Sequence, residues 1–177
     1  IPIYYSQKNG GKPPHRDNVV HIDDIDTFAP QTSLGMSAFH LDTCFTPLFP
    51  FGHGLSYAHF VYEGIRVSDA EVPMGSTVTV SAELSNHGDV EAEEVVQLYT
   101  RDLVGSITRP VKELKGFRRV RLQPGETRTV TFELHTDDLS FCGRDGKRIV
   151  EPGLFHAWIG GTSDAELRTE FRIVDAS

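Results

Sequence analysis

Val78, Val80, Ala82 and Leu84 alternate with Thr79, Ser81, Glu83 and Ser85, and the run stops at Asn86-His87-Gly88-Asp89. Successive side chains of an extended backbone point to opposite sides. A period of two therefore specifies a strand with one face in a core and the other toward water. The pattern recurs at Val130, Phe132 and Leu134, after the turn signal Gln123-Pro124-Gly125-Glu126, and at Phe155, Ala157 and Ile159, after Glu151-Pro152-Gly153. It appears once more at Leu167, Thr169, Phe171 and Ile173, against Arg168, Glu170 and Arg172. Val95-Val96-Gln97-Leu98-Tyr99 and the stretch from Leu114 to Leu122 lie between, with β-branched and aromatic content suited to strands. Half-apolar strands must bury their apolar faces against one another, so the chain is driven toward layered sheets.

From about Tyr62 onward this grammar predicts about seven or eight short strands with frequent turn signals and no amphipathic helix. The expected fold is all-β, an immunoglobulin or fibronectin type III-like antiparallel β-sandwich, preceded by an extended, largely irregular N-terminal segment. Trp158 falls on the face opposite Phe155 and Ala157 if the alternation is strict, which puts it on the outside of a sheet or in an interdomain contact. A bulge would instead turn it into the core. Both placements are open from sequence.

Residues 1–60 have a different grammar. Ile1-Pro2-Ile3-Tyr4-Tyr5 suits one short edge strand, because Pro2 cannot donate to a ladder. Gly10-Gly11, Pro13-Pro14, Pro30 and the acidic cluster Asp23, Asp24 and Asp26 follow with little periodicity. A segment with no core of its own is expected to lie on another domain. Residues 47–60 then carry Pro47, Pro50, Gly52 and Gly54 among Phe49, Phe51, Tyr57 and Phe60. Proline fixes φ and glycine permits positive φ or close approach, so the stretch reads as a rigid apolar connector that touches two bodies. The expected division is residues 1–60 as the edge of one domain plus a linker, and residues 61–177 as the sandwich. The chain opens on Ile1, which fits a processed product or a fragment.

The formal charge of −8 argues against nucleic acid as a partner. Arg118, Arg119 and Arg121 read as a solvated strand edge. No apolar run approaches the ~20 residues that span a bilayer, so no membrane partner is expected. Cys44 and Cys142 are far apart and lack CxxC spacing. They read as separate thiols, with a disulfide open to an exported chain.

The carboxylate pairs Asp23 with Asp24 and Asp26, Glu93 with Glu94, and Asp137 with Asp138 sit in polar contexts where solvation keeps both members ionised. A general acid needs a raised pKa, so none of them is assigned a catalytic role. His40, Asp42 and Cys44 alternate on one side of an extended segment, yet no further ligand follows at metal-site spacing, so no metal is assigned. No phosphate loop or nucleophile elbow occurs, and no cofactor is called for. His15, His21, His40, His53 and His59 all precede the sandwich and read as hydrogen-bonded loop residues. His53, between two glycines, is expected to bond to backbone at the junction.

These motifs together resemble the C-terminal part of glycoside hydrolase family 3 enzymes, of the bacterial periplasmic β-glucosidase and β-xylosidase type. The residues that carry the likeness are Ile1-Pro2-Ile3-Tyr4-Tyr5, Leu48-Phe49-Pro50-Phe51-Gly52-His53-Gly54-Leu55-Ser56-Tyr57 and Glu94-Val95-Val96-Gln97-Leu98-Tyr99. Arg109-Pro110-Val111-Lys112-Glu113-Leu114-Lys115-Gly116-Phe117, Leu122-Gln123-Pro124-Gly125-Glu126 and Glu151-Pro152-Gly153 complete it. The resemblance implies that the first motif ends an α/β-sandwich domain and the second leads into a fibronectin type III-like domain. The whole enzyme would release terminal β-linked glucose or xylose from oligosaccharides by a retaining mechanism, with its nucleophile and acid/base outside this chain. It places His40 and Asp42 near the rim of the active-site face as candidate substrate contacts. The implied partners are the catalytic domains of the same enzyme, upstream or in a companion chain, with a homodimer contact as a further use of the surface. The implied location is periplasmic or secreted. A different class also fits a β-sandwich: a stand-alone module that binds carbohydrate or protein. Among outward strand positions, only Tyr99 and Trp158 are aromatics of the kind that stack on sugars.

Overall fold

The computed structural model describes residues 49–176. Ten strands follow in order: β1 (Phe60–Val67), β2 (Glu71–Pro73), β3 (Thr77–Asn86), β4 (Ala92–Asp102), β5 (Glu113–Leu122), β6 (Thr127–His135), β7 (Phe141–Cys142), β8 (Arg148–Ile149), β9 (Gly153–Gly160) and β10 (Arg168–Val174). A 3-10 turn at Thr136–Leu139 is the one helical element among the described residues. The order β1-β3-β6 makes one sheet, β2-β10-β9-β4-β5 a second, and β7-β8 a two-stranded flap.

The two large sheets face each other across a core built from the alternating residues. Val78, Val80, Ala82 and Leu84 of β3 and Val130, Phe132 and Leu134 of β6 meet Val96 and Leu98 of β4 and Phe155, Ala157 and Ile159 of β9. Phe171 and Ile173 of β10 close the layer, and the rings of Phe155 and Phe171 stack at 5.6 Å. Each fully buried aliphatic or aromatic side chain contributes about 1.5–3 kcal/mol, so these positions dominate the stability of the fold. The turn after β3 is fixed by Asn86, which is fully buried. Its amide donates to the carbonyls of Val90 (2.8 Å) and Leu122 (3.2 Å), and its Oδ1 accepts from the Gly88 N–H at 2.9 Å.

One pairing departs from the antiparallel expectation: β2 runs parallel to β10, with Val72 opposite Ile173. The chain leaves the three-stranded sheet after β1, crosses to the edge of the other sheet beside β10 and runs there in the direction of β10. The sandwich is therefore mixed rather than wholly antiparallel. Among the described residues, no helix is long and apolar enough to cross a membrane.

Candidate functional site

β4 is buried on both faces at its centre, and that marks where something covers the sheet. Val96 and Leu98 point into the core; Gln97 and Tyr99 point outward, yet are only 4% and 2% exposed. A mid-strand glutamine between two valines and a leucine reads as a solvated position. Here the connector lies on it. Gly52 has φ 82°, and a Cβ at that position would sit 2.8 Å from Gln97 Cδ and closer still to its amide oxygen and nitrogen. Only glycine meets both demands, the positive φ and the close approach.

The Gln97 amide is satisfied within the protein. Nε2 donates to the Gly161 carbonyl, and Oε1 accepts from the Tyr99 hydroxyl. Burial pushes the Tyr99 hydroxyl up to about 12, so it keeps its proton and acts as the donor. Beside this hub the Phe51 carbonyl accepts from the Ser163 N–H at 2.8 Å, which ties the connector to the loop between β9 and β10. Lys112, just before β5, clamps the same loop: its Nζ donates to the carbonyls of Ser163 (2.9 Å) and Ala165 (2.8 Å). The same ammonium lies 4.6 Å from the centre of the Trp158 ring, a cation–π contact.

Trp158 is thus on the outer face. The register of β9 runs without a break against both β4 and β10, pairing Trp158 with Tyr99 and Arg168. The irregularities fall elsewhere, between Glu63 and Arg66 in β1 and opposite the Leu98–Tyr99 step on the β5 side. With Trp158 and Tyr99 covered at 8% and 2% exposure, neither offers the flat exposed ring expected of a sugar platform. The exposed aromatic of this face is Phe117, the cross-strand partner of Gln97.

Glu93 and Glu94, read together from sequence as solvated, separate because neighbours in a strand face opposite ways. Glu93 stays outside and pairs with Arg121 (3.2 Å) and Arg119 (3.5 Å) on the exposed edge strand β5. Glu94 turns inward and accepts from the Tyr62 hydroxyl at 2.9 Å, linking the two sheets. Burial raises the Glu94 carboxyl above the ordinary glutamate range, and the Tyr62 hydrogen bond offsets part of that rise. Burial and the neighbouring carboxylate raise the Tyr62 hydroxyl as well. Asp137 lies at the start of the 3-10 turn, its carboxylate 3.5 Å from His135. Cys142 is free and exposed.

At the other end of the connector, the His53 N–H donates to the Pro50 carbonyl at 3.0 Å and closes a turn, while its ring meets Phe49 at 5.1 Å. The His87 N–H donates to the His59 carbonyl at 2.7 Å, and the two rings meet edge to face at 6.1 Å. Phe49, Leu55 and Tyr57 remain in solvent, Tyr57 completely so. His40 and Asp42, the candidate substrate contacts, lie outside the described residues, as do Cys44, His15, His21 and the cluster Asp23, Asp24 and Asp26. Among the described residues, no group of three or more His, Cys, Asp or Glu is placed to hold a metal ion.

A core closed between two β-sheets is the architecture of a fibronectin type III-like domain, and the sequence profile of that domain family matches residues 94–163. The chain is 47% identical over 68% of its length to a β-xylosidase of Formosa agariphila, and 34% identical over 98% of its length to the periplasmic β-glucosidase of Salmonella typhimurium. It covers 99% of its own length and 22% of the β-glucosidase of Listeria innocua solved in complex with glucose, at TM-score 0.82 and 32% identity. The chain spans 17% and 21% of the two curated relatives. It is a fibronectin type III-like domain homologous to the C-terminal regions of glycoside hydrolase family 3 β-glucosidases and β-xylosidases, and corresponds to that part of these larger, multidomain enzymes.

Proposed function

We propose that this chain is the structural C-terminal part of a family 3 β-glycosidase that removes terminal β-linked glucose or xylose from oligosaccharides. Residues 1–60 form the edge of the preceding α/β domain and the linker, and residues 61–177 form the sandwich that docks on the catalytic body. The observation that carries this reading is the connector. Phe49, Leu55 and Tyr57 stand in solvent directly before a sandwich whose own core is already closed. Exposed apolar side chains in series fit a partner surface that this part of the chain does not supply.

Retention in such enzymes needs two carboxyl groups about 5–5.5 Å apart across the scissile bond. In this proposal both lie on the catalytic body, and the sandwich holds that body's flank. His40 and Asp42 are proposed to face the substrate from the rim. The homology to a periplasmic enzyme supports a periplasmic or secreted location. Proton NMR of the sugar first released from an aryl β-glucoside or β-xyloside by the full-length gene product tests the reading. The β-anomer is expected. The α-anomer, or no cleavage of either substrate, overturns it.

A further inference from the structure

The outer face of the five-stranded sheet is closed on one half and open on the other. Over β4 and β9, Gly52 rests on Gln97 and Lys112 lies against Trp158, and Gln97, Tyr99 and Trp158 are buried. Over β4 and β5 the same face carries Phe117, which is 70% exposed, with Val95 and Leu114 exposed beside it. Register fixes the shared face: Gln97 lies opposite Phe117, Tyr99 opposite Leu114 and Val95 opposite Arg119. An aromatic ring and two aliphatic side chains held in water at the middle of a sheet are an exposure that a partner surface relieves. Next to them, toward the start of β4, Arg119 and Arg121 pair with Glu93 at 3.5 and 3.2 Å and stay largely in solvent. An apolar centre beside a hydrated, charged margin is the anatomy of a protein interface.

What is attached beside the patch sets its occupant. The connector touches Gln97, the cross-strand partner of Phe117, so the polypeptide that precedes Phe49 is tethered next to the open half. The chain spans 17% and 21% of its two curated relatives and corresponds to their C-terminal regions, so in those enzymes most of the polypeptide lies upstream of the matching segment. A tether of this kind holds a body at an effective concentration on the order of millimolar, an advantage that a second copy free in solution lacks. We infer that the outer face of β4 and β5, centred on Phe117, docks on an apolar surface of the upstream body of the same polypeptide, with Arg119 and Arg121 at the margin of the contact. This rests on the family 3 reading above and names the face by which the sandwich holds the catalytic body.

The test is hydroxyl-radical footprinting, read residue by residue by mass spectrometry, on the 177-residue chain and on the full-length gene product. Oxidation at Phe117 is expected to be about tenfold slower in the full-length protein than in the chain, as for a ring moved from solvent to the centre of an interface. Phe171, buried in the core, gives the slow limit in both. Equal rates at Phe117 in the two proteins overturn the inference. So does protection in the 177-residue chain that grows with its concentration, which assigns the face to a second copy. Phe117→Asp places a charge in the contact and, in the full-length protein, is expected to raise oxidation at Val95 and Leu114 severalfold, toward the rates seen in the chain. Unchanged protection at both positions overturns the inference. Turnover of aryl β-glycosides by the same full-length preparation keeps the two claims apart. An active enzyme with Phe117 unprotected overturns the docking face alone; an inactive one with Phe117 protected overturns the glycosidase reading alone.

Discussion

Gly52 rests on the side chain of Gln97, and this contact joins the connector to the sheet. The amide beneath it is held from two sides, by the Gly161 carbonyl and the Tyr99 hydroxyl, so it has little freedom to move away. Gly52→Ala therefore meets both a strained positive φ and a crowded Cβ. A loss of about 1–3 kcal/mol is expected, from backbone strain of this size and the displaced side chain. Urea denaturation measures it. Gln97→Ala in the same chain should recover only the steric share of the loss, leaving the φ share.

Gln97→Leu removes the hub without emptying the space. It leaves the Gly161 carbonyl and the Tyr99 hydroxyl buried without their partner, at an expected cost of about 1–3 kcal/mol for the lost bonding. The added variant Tyr99→Phe should return part of that loss, since the orphaned hydroxyl is then gone. A double-mutant cycle with no coupling between positions 97 and 99 would contradict the hub.

The Glu94–Tyr62 link sets a pH dependence with a definite sign. The folded protein holds the Glu94 proton more tightly than the unfolded chain does, because burial raises this carboxyl. Its contribution to stability is then fully present below the ordinary glutamate range and declines as pH rises through the raised folded value. Glu94→Gln keeps an acceptor for Tyr62 and does not ionise. Its stability relative to the parent should rise across that window and then level off. Tyr62→Phe removes the hydrogen bond that lowers the Glu94 value, so the window should extend to higher pH. Chemical denaturation at a series of pH values checks both, and a Glu94→Gln difference independent of pH would refute the assignment.

The core carries a simpler expectation. Phe171 is almost completely buried and stacked on Phe155, so Phe171→Ala should cost about 3–5 kcal/mol. Phe117→Ala, a like change on an exposed ring, should cost the sandwich far less; thermal unfolding of the two variants separates core from surface.

The alternation at residues 78–84, 130–134, 155–159 and 167–173 made β3, β6, β9 and β10 legible, because one buried face imposes a period of two over several residues. β2, β7 and β8 span two or three residues each, too few to show any period. The parallel docking of β2 on β10 is set by pairing with a strand distant in sequence, Val72 with Ile173, which leaves no local mark. Trp158 was ambiguous only through the chance of a bulge in β9, and the unbroken register settles it. Gln97 was hidden for a different reason. A glutamine at an outward strand position looks solvated, and only the connector, folded back from residues far away in sequence, turns it into a buried hub. Glu94 was misjudged with Glu93 because adjacency in a strand means opposite faces. The tight turn from Pro50 to His53 was legible from Pro50 and Gly52, since those residues restrict or free the backbone wherever they occur.

The central claim is that the chemistry lies outside this chain and that the chain supports it. The direct measurement is turnover of an aryl β-glucoside and an aryl β-xyloside by the purified 177-residue chain, alongside the full-length gene product at equal molarity. The expected result is no hydrolysis above buffer by the chain and clear hydrolysis by the full-length protein. Sustained turnover by the chain alone, proportional to its concentration and retained through repurification, would contradict the account.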